Sequence, residues 1–195
     1  MDRKDLTYHK VSPTYENISP WRGYDVTAIL ESNDQKLWVG TNSGLLYQYD
    51  RESNTLHEVL LDSTNKSRTS FGRYFINNIF EDKERNIWIS TNGNGLWRIA
   101  KGTGKTTQFL EKDGLASNGV GTVIEDNKGL LWFNTLKGLS RLHPESNEIH
   151  NYYTIDGLPS ENLMSLYKSK QGNRMYIGTD KGMAAFQPDS IKDMS

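Results

Sequence analysis

Apolar and polar positions alternate along this chain in short bursts that return in the same order four times. Each round opens with an alternating stretch: Val26–Leu30, Ile76–Phe80, Val120–Ile124 and Leu163–Tyr167. A polar turn follows, at Ser32–Gln35, Asp82–Arg85, Asp126–Gly129 and Ser169–Asn173. Next comes a run that is apolar on both faces and centred on an aromatic residue, reading LWV, IWI, LWF and MYI. A turn containing Gly44, Gly95, Gly138 or Gly182 leads to a third stretch, Leu45–Tyr49, Leu96–Ile99, Leu139–Leu142 or Met183–Phe186. The first three rounds add a fourth stretch, Leu56–Leu60, Thr107–Leu110 and Ile149–Tyr153. Short runs rich in β-branched and aromatic residues, bounded by Gly, Asn, Asp and Ser, predict strands. No segment carries a helical period of useful length.

The aromatic centres Trp38, Trp88, Trp132 and Tyr176 are spaced 50, 44 and 44 residues apart. A period of roughly 40–50 residues built of four short strands predicts the blade of a β-propeller. The expected fold class is therefore all-β, a β-propeller of four-stranded antiparallel blades with about four repeat units, whole or a fragment of a larger ring. It forms one domain over residues 1–195, with units near 24–62, 74–112, 118–155 and 162–188. The second strand of each unit is apolar on both faces, as a strand sandwiched between neighbouring blades must be. Its aromatic residue is expected to fill the space between blades, with a sugar-stacking platform as the alternative. The hairpin glycines are expected at positive φ.

The fourth unit ends near Phe186-Gln187-Pro188 without a fourth strand. Residues 6–11, beginning Leu6-Thr7-Tyr8-His9-Lys10, read as an outer strand. An open edge invites pairing. The expectation is that Leu6–Lys10 pairs with the third strand of the last unit, or that the chain self-associates, for example as a homodimer.

Composition removes several functions. Lys plus Arg is 23 and Asp plus Glu is 24, for a net charge of −1, which lacks the electrostatic footprint of a nucleic-acid binder. There is no cysteine, hence no disulfide frame, thiolate zinc site or thiol nucleophile. No apolar run is long enough to span a bilayer as a helix, so direct membrane insertion is not expected. The first residues, MDRKDLTYHK, do not read as a secretion signal.

Candidate chemistry is sparse. Gly102-Thr103-Gly104-Lys105-Thr106 ends like a phosphate-binding loop, but the required earlier glycine is Ile99 and the segment bridges two strands. His9, His57, His143 and His150 show no metal-ligand spacing, and Asp126-Asn127-Lys128-Gly129 lacks the further ligands of a calcium loop. Glu81-Asp82 and Glu125-Asp126, matched by Glu31-Ser32 and Lys168-Ser169, recur at one strand end; they read as turn chemistry, not as a glycosidase pair. No catalytic residue, metal or cofactor is expected.

The segments Asp113–Leu139 (DGLASNGVGTVIEDNKGLLWFNTLKGL) and Asp156–Met183 (DGLPSENLMSLYKSKQGNRMYIGTDKGM) resemble the two-component regulator propeller repeat. The likeness runs through all four units and is clearest in the third and fourth. In the first two, Trp21-Arg22-Gly23-Tyr24 and Phe71-Gly72-Arg73-Tyr74 stand in place of the DGLPSN segment. The resemblance implies a periplasmic sensor region of a hybrid two-component histidine kinase of the Bacteroidetes type, responding to oligosaccharides. It also implies further blades or a downstream immunoglobulin-like domain as partners. In a propeller, the loops leading into the innermost strand and the turns between second and third strands share one face. A ligand there would meet Arg22, Tyr24, Arg73, Tyr74, Asn118, Glu161 and Asn162, with Asn42, Asn92, Asn94, Lys137 and Asp180 beside them. These residue types supply stacking planes and directed hydrogen bonds. The alternatives are a propeller enzyme of the streptogramin lyase or polysaccharide lyase type, and a protein-interaction scaffold.

Overall fold

The computed structural model describes residues 25–61 and 74–191, together with the backbone of Thr14–Tyr15. Blade 1 holds β2 (Val26–Glu31), β3 (Leu37–Thr41), β4 (Leu46–Asp50) and β5 (Thr55–Glu58). Blade 2 holds β6 (Ile76–Glu81), β7 (Ile87–Thr91), β8 (Leu96–Ile99) and β9 (Thr106–Phe109). Blade 3 holds β10 (Val120–Glu125), β11 (Leu131–Thr135), β12 (Gly138–Leu142) and β13 (Ile149–Tyr152). Blade 4 holds β14 (Leu163–Lys168), β15 (Met175–Thr179) and β16 (Gly182–Phe186). Each blade is an antiparallel meander in sequence order. The expected strands thus form within a residue or two of their predicted limits, and blade 4 has three strands among the described residues.

One addition was not legible. A short strand, β1 (Thr14–Tyr15), lies parallel to β5 at the outer edge of blade 1. The expected strand at Leu6–Lys10 falls outside the described residues. Three 3-10 turns, Glu111–Asp113, Thr154–Asp156 and Pro188–Ser190, also follow the meanders of blades 2, 3 and 4.

Three apolar clusters lie between successive blades. Trp38 and Leu46 meet Ile76, Ile79 and Ile89; Trp88 and Leu96 meet Val120, Val123 and Phe133; Trp132 and Leu139 meet Leu163, Leu166 and Ile177. The tryptophans therefore fill the space between blades, as their recurrence at one phase requires. A large amphipathic ring needs a partner for its N–H when buried. Trp88 Nε1 donates to Asp82 Oδ2 (2.7 Å), Trp132 Nε1 to Asp126 Oδ2 (2.9 Å), and Trp38 Nε1 to Ser32 Oγ (3.2 Å). The same carboxylates close their turns: Asp82 Oδ1 accepts Asn86 N, and Asp126 Oδ1 accepts Lys128 N and Leu130 N.

Every innermost strand carries a bulge near its second residue. A bulge adds twist and re-aims a side chain. Here the first-residue carbonyl of each following inner strand becomes an acceptor across the blade boundary. Thr27 Oγ1 donates to Ile76 O (2.7 Å), and Asn77 Nδ2 to Val120 O (2.8 Å). Blade 3 has Gly121 at that position, and Asn134 Nδ2 reaches Leu163 O instead (3.1 Å). A Cβ on Gly121 would lie 2.5 Å from that Nδ2, so the glycine makes room for the substitute donor.

Candidate functional site

The two ends of the blades differ in chemistry. At one end, each hairpin between second and third strands is bonded to the loop leading into its own inner strand. Asn42 N donates to Asp25 O, Asn92 N to Phe75 O, Leu136 N to Gly119 O and Asp180 N to Asn162 O. The threonine and glycine that recur in these hairpins, three residues apart in blades 3 and 4 and four apart in blade 2, have a local cause. Thr91 Oγ1 donates to Gly95 O (2.9 Å), Thr135 Oγ1 to Gly138 O (3.0 Å) and Thr179 Oγ1 to Gly182 O (2.9 Å). Gly95 sits at φ 74°, and a Cβ there would lie 2.0 Å from Phe109 O. The loop end is therefore a rigid, bonded surface.

The candidate residues take different places on it. Arg22, Tyr24 and Arg73 lie outside the described residues. Asn118 is tied to a 3-10 turn: its Oδ1 accepts Glu111 N (2.8 Å) and its N donates to Glu111 Oε1 (3.1 Å). Glu161 does the equivalent in the next blade, accepting Thr154 Oγ1 (3.1 Å). The DGL segments close the same turns, with Asp113 Oδ2 accepting Leu110 N and Asp156 Oδ2 accepting Tyr153 N. Asn162 is exposed, its N bonded to Ser160 Oγ (3.1 Å). The hydroxyl of Ser160, and then Asn162, hold the neighbouring Asp180 carboxyl below its ordinary value. Asn94 accepts Gln108 through its side chain, and Lys137 reaches Glu111 at 3.9 Å. Tyr74 is exposed.

Tyr74 and Asn92 were both expected on the ligand face; Leu136, which lies beside them, was not. A Cβ on Gly93 would lie 2.5 Å from both Cδ1 and Cε1 of Tyr74, so the ring packs directly on the hairpin backbone. A Cβ on Gly119 would lie 2.5 Å from Leu136 Cδ1 and 3.5 Å from Asn92 O. Two glycines thus bring exposed Tyr74 and Leu136 to either side of exposed Asn92, a shelf that crosses from blade 2 to blade 3, with exposed Phe75 next to Tyr74 in the chain. Leu136 is 71% exposed. The signal in the sequence is positional: Leu136 stands where the other units carry Asn42, Asn92 and Asp180.

The opposite end carries the turns between first and second strands, clasped from blade to blade. Glu81 Oε2 accepts Asn33 N and Nδ2 (2.8 and 2.6 Å), and Glu125 Oε2 accepts Lys83 N (3.0 Å). Burial pushes the Glu125 carboxyl up against the opposing pull of Lys83, and burial likewise pushes Lys168 down. The paired acidic residues are thus turn and clasp chemistry. Also at this end, a cleft of about 540 Å³ opens between blades 1 and 2, lined by Trp38, Gln48, Asp34, Glu81, Arg85 and Lys101 among others. A substitution inside the repeat falls on its wall. Arg98 stacks 5.6 Å from Trp88 and 5.9 Å from Phe109, and Arg141 stacks 5.5 Å from Trp132 and 5.8 Å from Tyr152. Blade 1 has Gln48 and Val59 at those two positions; Gln48 lines the cleft, and Val59 packs against the apolar cluster between the blades.

The family described as two component regulator propeller matches residues 20–43 and 70–93. Two segments of this chain thus match the two-component regulator propeller repeat. The matched segments fall in blades 1 and 2, the two whose leading loops depart from DGLPSN; they run through the inner strand, the turn and the tryptophan strand. A histidine kinase P4 of Formosa agariphila is 30% identical over 171 residues, covering 85% of this chain and 12% of that protein. The extracellular domain of BT4673 from B. thetaiotaomicron, described as a hybrid two component system, superposes with a TM-score of 0.69 at 22% identity, over 85% of this chain and 23% of that one. A virginiamycin B lyase from Staphylococcus aureus shares the fold more distantly, with a TM-score of 0.55 at 16% identity over 87% of this chain and 58% of that one. This propeller-repeat chain therefore spans about an eighth of the curated relative and under a quarter of the sensor domain.

Proposed function

We propose that this chain is the ligand-sensing propeller segment of an extracytoplasmic two-component receptor, that its ligand is a carbohydrate, and that the segment itself performs no chemistry. The observation that carries the reading is the shelf of Tyr74 and Leu136 with Asn92. A sugar ring has an apolar face and a rim of hydroxyls. The shelf offers the first a flat aromatic and aliphatic surface, and Asn92 offers the second both a donor and an acceptor. The repeats, the kinase relative and the likeness to an extracellular sensor domain support the signalling context. A ligand lying on the shelf touches two blades at once. It favours one packing of blade 2 against blade 3, and that bias passes to the next domain and on to a kinase. The lyase reading has less support: His57, His143 and His150 each take a local partner, Thr55, Ser146 and Glu148, and do not converge.

The test is calorimetric titration and thermal shift with a panel of neutral and uronic-acid oligosaccharides. At least one should bind, and Tyr74→Ala and Leu136→Asp should each weaken it by about tenfold or more. A panel that shifts nothing, or a ligand indifferent to both substitutions, overturns the reading.

A further inference from the structure

The cleft between blades 1 and 2 lies where the next two boundaries each hold a guanidinium. Arg98 is 5.6 Å from the Trp88 ring, and Arg141 is 5.5 Å from the Trp132 ring. Both tryptophans are 0% exposed. The strand register fixes the equivalence: Trp88 pairs with Arg98, Trp132 with Arg141 and Trp38 with Gln48. Trp38 is 6% exposed and lines the cleft beside Gln48. Among the described residues no guanidinium or ammonium lies over its ring. The acceptor for a guanidinium is repeated too. Arg98 Nη1 donates to Pro144 O (2.7 Å), in the turn after β12. That turn and the one after β8 are bonded alike. His143 N donates to Glu148 O and Asn147 N to His143 O; Ala100 N donates to Lys105 O and Gly104 N to Ala100 O. Lys101 therefore stands where Pro144 stands, and its carbonyl accepts no hydrogen bond among the described residues. Lys101 lines the cleft, and so do Gly102 and Gly104 of the glycine-rich turn. A Cβ on either glycine would meet nothing within 4 Å, so the turn leaves the mouth open.

We infer that this cleft binds free arginine, its guanidinium on Trp38 in the place that Arg98 and Arg141 take at the other two boundaries. A partly desolvated guanidinium is attracted to an indole face, and the Lys101 carbonyl accepts its N–H as Pro144 O does for Arg98. The Gln48 side chain, which has no hydrogen bond among the described residues, offers a second acceptor. The charges at the mouth suit the other end of the amino acid. Lys36 lies 3.2 Å from Asp34 and Arg85 lies 3.9 Å from Glu81, whereas the Lys101 ammonium has no ion pair among the described residues. The ligand carboxylate faces Lys101. A volume of about 540 Å³ is that of a small-molecule site. The cleft is at the end opposite the Tyr74 shelf, so the inference stands apart from the carbohydrate reading.

Calorimetric titration of the chain with L-arginine tests it. Saturable binding in the millimolar range or tighter is expected. Citrulline, which keeps the shape and loses the charge, should bind about tenfold more weakly or worse. Agmatine, the same chain without the carboxylate, should bind about two- to fivefold more weakly. Gln48→Arg puts the protein's own guanidinium on Trp38 and should abolish arginine binding, with an unchanged circular dichroism spectrum. Lys101→Ala, in an exposed turn, should weaken arginine by about two- to fivefold and leave agmatine as it was. Three results overturn the proposal: no saturable heat up to about 10 mM arginine, citrulline binding as well as arginine, or arginine binding that survives Gln48→Arg in a folded protein.

Discussion

The boundary between blades 2 and 3 and the boundary between blades 1 and 2 use one backbone and two packings. At the first, Trp88 is fully buried and stacked on Phe109 at 5.8 Å, Arg98 lies against both rings, and a single carboxylate, Asp82, takes the indole N–H while closing its turn. At the second, the same tasks are divided. Ser32 takes the Trp38 N–H, Asp34 holds the Ser32 hydroxyl at 2.6 Å, and Gln48, in place of the arginine, lines a cleft. The difference teaches that strand pairing alone fixes the blade, while the density between blades depends on a few side chains reached across the boundary. Side chains that face a gap forfeit dispersion attraction, and the neighbouring sheet does not restore it.

The largest effect should come from removing the two tryptophans. Trp88→Ala should cost about 3–5 kcal/mol by creating a cavity in a closed interface, and Trp38→Ala distinctly less, because its boundary is already open. Urea unfolding of the two variants checks this, and equal losses would break the contrast. A smaller effect should follow from transplanting the arginine with its aromatic partner. Gln48→Arg with Val59→Phe should raise stability by about 0.5–2 kcal/mol through cation–π stacking and filled space. A destabilised double variant would mean that the cleft is held open by something other than these two side chains. The smallest effect is one of pH. The Ser32 hydroxyl, with help from Lys36, holds the Asp34 carboxyl below its ordinary value near 3.8. A depressed carboxylate stabilises the fold above that value, and the contribution is lost as pH falls through the lower folded value. Asp34 is largely exposed, so the contribution is screened. Melting temperatures of the parent chain and Asp34→Asn should therefore differ slightly at pH 6 and converge near pH 2; a gap that widens in acid would refute the Trp38–Ser32–Asp34 relay.

Much of the fold was legible because its causes are local. Alternation around Ile79 or Val123, and double-sided burial around Trp88 or Trp132, follow from the two-residue period of a strand between two neighbours. The glycines at 44, 95, 138 and 182 all take positive φ, as a tight hairpin demands. The acidic pairs read as turn chemistry, and Asp82 and Asp126 close their turns. The candidate binding residues were legible only as a list. Asn118 and Glu161 are polar residues in leading loops, and nothing local to them says that each is bonded to a 3-10 turn seven residues back.

By itself, then, the sequence determined the four meanders, their order, the aromatic filling between blades and the likeness to a known repeat, since each rests on spacing within some 10 to 50 residues. Tertiary structure alone decided what crosses a blade boundary. The shelf joining Tyr74 to Leu136 exists because Gly93 and Gly119 let side chains from two blades lie down together. The donor to Leu163 O is Asn134 because Gly121 leaves it room. Ile29 and Met183 are ordinary core residues in the repeat pattern, and only their position at the two ends of the described array leaves them exposed. Each of these depends on which side chains meet across tens of residues of chain, and a periodic pattern carries no record of that.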